Sequence, residues 1–190
     1  MNPNPSPDPL PFTIRPMQPA DLDQVLAIAE QSPEAPRWQP SGYTPYLAAE
    51  SETNPALLRT GLVAVTNDHP HQPTQEKILA FAAATLLLVA DSAGQQNQCQ
   101  LDSMAIHPNA RRQGLASALL RAILTWSAAH NARHLTLEVR AGNTPAIALY
   151  QRFGLRPEGR RPRYYTDPEE DALLLGTPIT SGPPHVRFPP

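Results

Sequence analysis

The stretch HLTLEVRAGNTPAIALYQRFG, residues 134–154, decides the fold because it joins a strand to a short helix with little loop between them. HLTLEVR alternates apolar and polar residues, which predicts a half-buried strand. In the helix that follows, Asn143 is expected at the N-cap and Pro145 in the first turn, with a glycine at the end. The strand then points Glu138 away from its apolar face, and the helix carries Tyr150 on an apolar stripe.

The stretch MAIHPNARRQGLASALL, residues 104–120, is a second junction between a strand and a helix. Unpaired backbone N–H groups at a helix start attract phosphate oxygens, and a glycine without a Cβ lets such a ligand approach closely. The segment that could hold an anion consists of Arg111, Arg112, Gln113, Gly114, Leu115, Ala116 and Ser117. The pattern is equally typical of an ordinary helix start. It lacks the G-K-S/T of a Walker loop and the G-x-G-x-x-G of a dinucleotide site.

Hydrophobic periodicity along the remaining chain predicts an α/β fold of the α+β type. Strands are expected at residues 12–18, 60–67, 78–90 (one or two strands), 99–108, 134–140, 155–161 and 171–179. Helices are expected at residues 19–32, 44–50, 109–131 and 143–154, and polar loops at 67–77 and 91–98. Consecutive strands, with two helices interposed toward the C-terminal half, predict a central mixed sheet of about seven strands with helices on both faces.

The length of 190 residues suits one domain with a substantial core. Many of the 24 prolines lie near the two ends of the chain. We expect a proline-rich tail at residues 1–11, the folded domain at 12–178 and a second proline-rich tail at 179–190. Such tails are typically solvated extended chain, and the alternative is a proline-rich ligand for the groove of a partner.

A net charge of -2 and a pI of about 6.3 give no electrostatic reason for a nucleic-acid or anionic-membrane partner. Cys99 is the single cysteine, so no internal disulfide forms, and we expect it to be a small strand residue rather than a nucleophile. Residues 1–12 lack the basic and apolar regions typical of a signal peptide, and the sequence shows neither an apolar run of about 20 residues nor a zinc-like spacing of histidines. These observations predict a soluble, cytoplasmic protein without a metal, either a monomer or a weak homodimer.

Three stretches, MAIHPNARRQGLASALL, LTLEVRAGNTPAIALYQRFGL and GRRPRYYTDPEEDALLL, together resemble the GNAT superfamily of acetyltransferases. Within that superfamily they are most similar to the RimI-type enzymes, which acetylate the N-terminal alanine of a ribosomal protein. The resemblance spans about residues 100–178. It implies a mostly antiparallel sheet in which two parallel strands splay apart and hold acetyl-CoA, the cosubstrate.

The resemblance assigns acetyl-CoA to one part of the chain. The pantetheine arm is implied to pair with the backbone of Met104, Ala105 and Ile106. The pyrophosphate is implied to lie on residues 112–117, with Arg111 adjacent and Asn143 as a further contact. Ala116 stands where the family pattern R-x-x-G-x-G has its second glycine.

By the same resemblance, Glu138 matches the general base and Tyr150 the general acid. An N-terminal amine has a pKa of about 8, so a carboxylate that removes its proton makes it nucleophilic at neutral pH. The alternative for Glu138 is an ion pair on the sheet, for example with Arg140. The alternative for Tyr150 is a core position with a locally satisfied hydroxyl. A backbone N–H of an irregular strand at residues 103–106 is the expected donor to the oxyanion.

The implied function is acetylation of a primary amine, above all the N-terminal α-amine of a protein such as a ribosomal protein. Tyr164 and Tyr165 match the acceptor side and are expected at the peptide entrance. Two alternatives remain. One is an acetyltransferase for a small-molecule amine or amino acid. The other is a non-catalytic acyl-CoA-binding module, against which the presence of both Glu138 and Tyr150 argues.

Overall fold

The computed structural model describes residues 11–36, 38–47, 56–66, 76–91 and 94–179. Apart from Pro11 and Ile179, both predicted tails lie outside the described residues, as does most of the predicted loop at 67–77. Within the described ranges, no helix is both long enough and apolar enough to cross a membrane.

Strands and helices follow one another along the described chain. The strands are β1 (Thr13–Pro16), β2 (Leu57–Thr66), β3 (Lys77–Leu87), β4 (Ala90–Asp91), β5 (Gly94–Gln95), β6 (Gln98–Ile106), β7 (His134–Arg140), β8 (Arg156–Thr166) and β9 (Glu169–Pro178). The α-helices are α1 (Leu22–Glu30), α2 (Pro40–Tyr43), α3 (Leu115–Ala129) and α4 (Thr144–Arg152). Single turns of 3-10 helix lie at Pro19–Asp21, Thr44–Tyr46 and Pro108–Ala110.

Helix α4 begins and ends at the residues that its local sequence predicts. The Asn143 side chain caps its start, because Oδ1 accepts a hydrogen bond from the backbone N–H of Ala146 at 3.2 Å. Pro145 lies in the first turn, where its missing N–H costs no helical hydrogen bond. Gly154 follows the last turn with a φ of 88°, a left-handed conformation that glycine adopts without strain.

Seven strands form one sheet in the order β1-β2-β3-β6-β7-β9-β8, and β4 and β5 form a separate small hairpin. Neighbouring strands of the described sheet are antiparallel, except for the parallel pair β6 and β7. This parallel pairing ends at Leu101 and Leu137, although β6 continues to Ile106 and β7 to Arg140. The predicted mixed, mostly antiparallel sheet with a splayed parallel pair is therefore confirmed.

Three predicted elements differ from the structure. Residues 48–50 of the helix expected at 44–50 lie outside the described residues; over 44–47 the expectation is wrong, because the α-helix lies earlier, at Pro40–Tyr43, and is followed by one 3-10 turn. Pro45 has no N–H to extend an α-helix, so the chain starts a new short turn there instead. The polar loop expected at 91–98 contains the hairpin of β4 and β5, and the strand expected at 155–161 continues to Thr166.

Two apolar layers hold the sheet, one on each face. The layer under α3 and α4 contains Leu119, Leu120, Ile123, Tyr150 and Phe153, together with alternate residues of β3 and β7. The opposite layer, under α1 and α2, contains Val25, Ile28, Tyr43 and Phe81. Helices thus cover both faces of the sheet, and β6 and β7 part between the two layers.

Candidate functional site

A cleft of about 970 Å³ lies where β6 and β7 part. Its walls are the ends of the two strands, the start of α3 and one side of α4. The predicted site residues that line it are Met104, Ala105, Ile106, Arg111, Arg112, Gly114, Leu115, Ala116, Ser117, Glu138, Asn143 and Tyr150. Of the predicted set, Gln113 alone is absent from the lining, although its amide oxygen is buried without a hydrogen-bond partner among the described residues. One cavity thus collects the residues that the sequence analysis singled out.

The loop before α3 has a backbone conformation suited to an anion. Arg112 and Gly114 both adopt positive φ, at 66° and 82°, and Gly114 is the N-cap of α3. Its N-cap is a glycine, so the cap residue has no side chain to accept from the first N–H groups of the helix. A Cβ on Gly114 would meet no atom within 4 Å, which shows open space directly above the helix start. A positive φ at a non-glycine residue such as Arg112 costs free energy and is characteristic of functional loops.

The arginines of this loop are weakly engaged. The guanidinium of Arg111 lies 3.9 Å from the carboxylate of Glu34, and both side chains are almost half exposed. Exposed pairs at this separation contribute little to stability. Arg111 can therefore turn toward an anion in the cleft at little cost.

A β-bulge interrupts β6 at Asp102. Ala84 of β3 pairs with Leu101, whereas the next residue, Ala83, pairs with Ser103. Asp102 is the extra residue, one position before the segment 103–106 in which an irregular strand was expected. A bulge breaks the regular ladder and bends the strand, which separates β6 from β7 at this point.

Glu138 lies at the first position of β7 beyond the parallel pairing. The strand alternates as predicted, with Leu135, Leu137 and Val139 buried and Glu138 on the other face. The side chain of Glu138 is 18% exposed, and its Oε1 lies 2.8 Å from Nε of Arg161 on β8. An ion pair on the sheet was the alternative expected for Glu138, but the predicted partner, Arg140, instead binds Glu170 at 3.2 Å.

Tyr150 lies in the apolar layer that also contains Leu137 and Val139. Because Glu138 is on the opposite face of β7, the phenol and the carboxylate approach the cleft from opposite faces of the sheet. Both line the cleft because the strands part between them. Burial raises the pKa of Tyr150 above its usual range, and Tyr165 adds to the shift, so the phenol keeps its proton at neutral pH.

The β8–β9 hairpin forms a partly exposed aromatic rim beside Glu138. The rings of Tyr164 and Tyr165 meet edge to face at 5.2 Å, and Tyr164 is 47% exposed. The guanidinium of Arg140 lies 4.2 Å from the Tyr165 ring centre. Burial and the charge of Glu138 raise the pKa of Tyr165. Within the same hairpin, Arg160 binds Asp171 at 2.6 Å.

Two cleft-side features escaped the sequence analysis. Arg161 reaches Glu138 across β9, and no local pattern predicts a contact between strands that are not neighbours. The bulge at Asp102 was also missed, because Asp102 occupies a polar position that continues the alternation of Gln98 and Gln100.

Cys99 is buried in β6, as expected of a small strand residue. Burial raises the pKa of its thiol to about 11, which leaves little thiolate for nucleophilic attack at neutral pH. In the chain as far as it is described, histidine, cysteine and acidic side chains form no group of three that could hold a metal ion.

Known proteins with similar sequences and structures agree with the fold described above. The sequence profile of the Acetyltransferase (GNAT) family matches residues 24–155. The ribosomal protein bS18-alanine N-acetyltransferase of Escherichia coli (strain K12) is 36% identical over 106 residues, 55% of this chain and 66% of that protein. A Bacillus subtilis (strain 168) protein that provisionally carries the same name is 42% identical over 83 residues, 44% of this chain and 55% of that protein. The chain thus spans about half to two thirds of the length of these relatives.

A solved structure shares the architecture along nearly all of its length. The crystal structure of Arabidopsis thaliana NAA60 in complex with acetyl-CoA superposes with a TM-score of 0.75, covering 89% of this chain and 99% of that chain. At 22% identity, this likeness shows the fold alone. The profile match runs from α1 to Leu155, just beyond α4, and includes both junctions that line the cleft. The chain therefore belongs to the GNAT acetyltransferase family.

Proposed function

We propose that the protein is an acetyl-CoA-dependent N-acetyltransferase that acts in the cytoplasm on the N-terminal α-amine of a protein. The observation that carries this proposal is the cleft between β6 and β7. Its lining includes the helix start at Gly114 as well as Glu138 and Tyr150. The names of the two relatives, both ribosomal protein bS18-alanine N-acetyltransferases, support a protein N-terminus as the acceptor.

The residues of the cleft fit acetyl-CoA. The left-handed N-cap at Gly114 and the open space above it form a cradle for the pyrophosphate, with Arg111 and Arg112 beside it. The edge of β6 at residues 104–106 has no strand opposite it on the β7 side, so its backbone groups can bind the amides of the pantetheine arm. When bound, acetyl-CoA would supply the acyl group as a thioester.

Glu138 would accept a proton from the amine, directly or through a water molecule, on the acceptor face of the sheet. Oε1 of this carboxylate binds Nε of Arg161, and the Tyr164 hydroxyl also hydrogen-bonds the carboxylate, which raises the pKa of Tyr164. On the opposite face, Tyr150 would give a proton to the departing thiolate, and burial keeps that proton in place until it is needed. Backbone N–H groups next to the bulge at Asp102 would donate to the acyl oxygen.

We expect turnover with peptides that carry a free N-terminus. A panel of peptides beginning with alanine, the same peptides with a blocked N-terminus, and small amines is incubated with acetyl-CoA, and CoA release is measured. The account predicts release with free N-termini and none with blocked ones. Turnover of small amines alone would assign a small-molecule acceptor. Tight acetyl-CoA binding without turnover on any acceptor would indicate a binding module.

Replacing the proposed base should produce a pH-dependent loss of rate. Glu138→Gln cannot accept a proton, so we expect the rate at pH 7 to fall about 100-fold. The loss should shrink toward pH 9, where an amine of pKa about 8 is already neutral. Acetyl-CoA affinity should stay near that of the wild type. Glu158→Gln, which alters a glutamate paired with His134 outside the cleft, serves as the matched control. Equal rates for wild type and Glu138→Gln from pH 6 to pH 9 would remove Glu138 from the mechanism.

Alanine substitutions at two glycines, both with a left-handed backbone conformation, test the proposed phosphate cradle. Gly114→Ala places a Cβ in the open space above α3, and we expect the Kd for acetyl-CoA to rise about tenfold. Gly154→Ala introduces the same left-handed strain at the end of α4, outside the cleft lining. It should lower the melting temperature without changing that Kd. Isothermal titration calorimetry measures the Kd for acetyl-CoA in each variant. If Gly114→Ala binds acetyl-CoA as tightly as the wild type, the phosphates lie elsewhere.

A further inference from the structure

The bulge in β6 places two polar side chains next to each other on the face of the sheet that carries Glu138. Leu101 and Met104 both pack in the layer under α3 and α4, and Ala105 packs in the opposite layer. Side chains of a strand alternate, so Asp102 and Ser103 both lie on the face of Ala105. In a regular strand, two consecutive residues such as Asp102 and Ser103 would lie on opposite faces.

Ser103 has a hydroxyl that the described chain leaves without a partner. The residue lines the cleft and is 3% exposed, and no atom of the described residues forms a hydrogen bond with its Oγ. A buried hydroxyl without a partner costs free energy, and such atoms are rare in folded proteins. The position of Ser103 beside the parting strands points to a ligand atom as the missing partner.

Asp102 is a carboxylate held by residues of two neighbouring segments. The hydroxyls of Tyr46 and Thr85 donate to Oδ2, at 3.0 Å and 2.7 Å, and the backbone of Thr85 adds a further hydrogen bond. Two carboxylate oxygens have about four acceptor positions, so capacity for another donor remains. Burial raises the pKa of Asp102 above its usual value, although Thr85, Tyr46 and the charge of Arg59 on β2 oppose the shift. An additional positive charge nearby stabilises the ionised form of such a buried carboxylate.

We propose that Asp102 and Ser103, with Glu138 across the gap, form the seat of the acceptor's ammonium group before its proton is removed. A primary ammonium has three N–H donors, and the three side chains offer one acceptor to each. Asp102 and Glu138 are the first positions of β6 and β7 beyond their parallel pairing, so the seat lies where the strands part. This inference rests on the proposed function and names the residues that select the amine.

The test is a binding measurement that needs no turnover. The full chain is saturated with CoA at pH 7 and titrated with a hexapeptide that begins with alanine, and then with the same peptide N-acetylated. Ser103→Ala and Asp102→Asn should each weaken binding of the free-amine peptide about tenfold. Binding of the acetylated peptide should change less than twofold. Gln100→Ala, an exposed position on the same strand and face but outside the cleft, is the control and should change neither.

Stability separates this role from a structural one. Ser103→Ala removes a hydroxyl that has no partner to lose, so its melting temperature should equal or exceed that of the wild type. If Asp102→Asn does not fold, Ser103→Ala decides alone. The inference is overturned if both peptides bind the variants as they bind the wild type. A wild type that does not distinguish the two peptides also overturns it.

Turnover then separates the two proposals. If the wild type acetylates peptides and the variants bind them with unchanged affinity, the proposed function stands and the proposed ammonium seat is overturned. If the wild type shows no turnover but its affinity for the free-amine peptide still depends on Asp102 and Ser103, the seat stands and the proposed function is overturned.

Discussion

The structure depends on one constraint, the end of the pairing between β6 and β7 at Leu101 and Leu137. Two parallel strands at the centre of a sheet would normally satisfy each other's backbone groups along their whole length. Here the bulge at Asp102 bends β6 away, and the strand edge beyond it faces a cleft instead of a neighbour. Among the described residues, no strand pairs with this edge on the β7 side, and the proposed pantetheine arm would satisfy its backbone groups.

The opening also lets the two faces of the sheet take different roles. The face under α3 and α4 is apolar, and Tyr150 is buried there as a neutral phenol. The other face brings together Glu138, Arg161 and the aromatic rim of the β8–β9 hairpin. The proposed proton acceptor and the proposed proton donor would then act on one bound molecule from opposite faces of the sheet.

The sequence predicted a feature well when the residues that determine it are close together in the chain. The bounds of β7, the Asn143 cap and the glycine that ends α4 follow from residues within a few positions, and each was predicted. The bulge at Asp102 depends on the register of β3 against β6, which no single stretch encodes. The partner of Glu138 is Arg161 rather than Arg140, because a long side chain reaches across β9 from the edge strand. The sequence also placed Glu138 and Tyr150 at one cleft, but only the sheet shows that they come from opposite faces.

The central claim is that the strand edge beyond the parting and the start of α3 together hold acetyl-CoA. Amide hydrogen exchange, followed by mass spectrometry with and without acetyl-CoA, tests it directly because it reports on the backbone N–H groups themselves. The account predicts slower exchange at residues 104–106 and 112–117 when acetyl-CoA is present, with little change in β1 and β2. Unchanged exchange in both segments, at a concentration that saturates binding, would contradict the account.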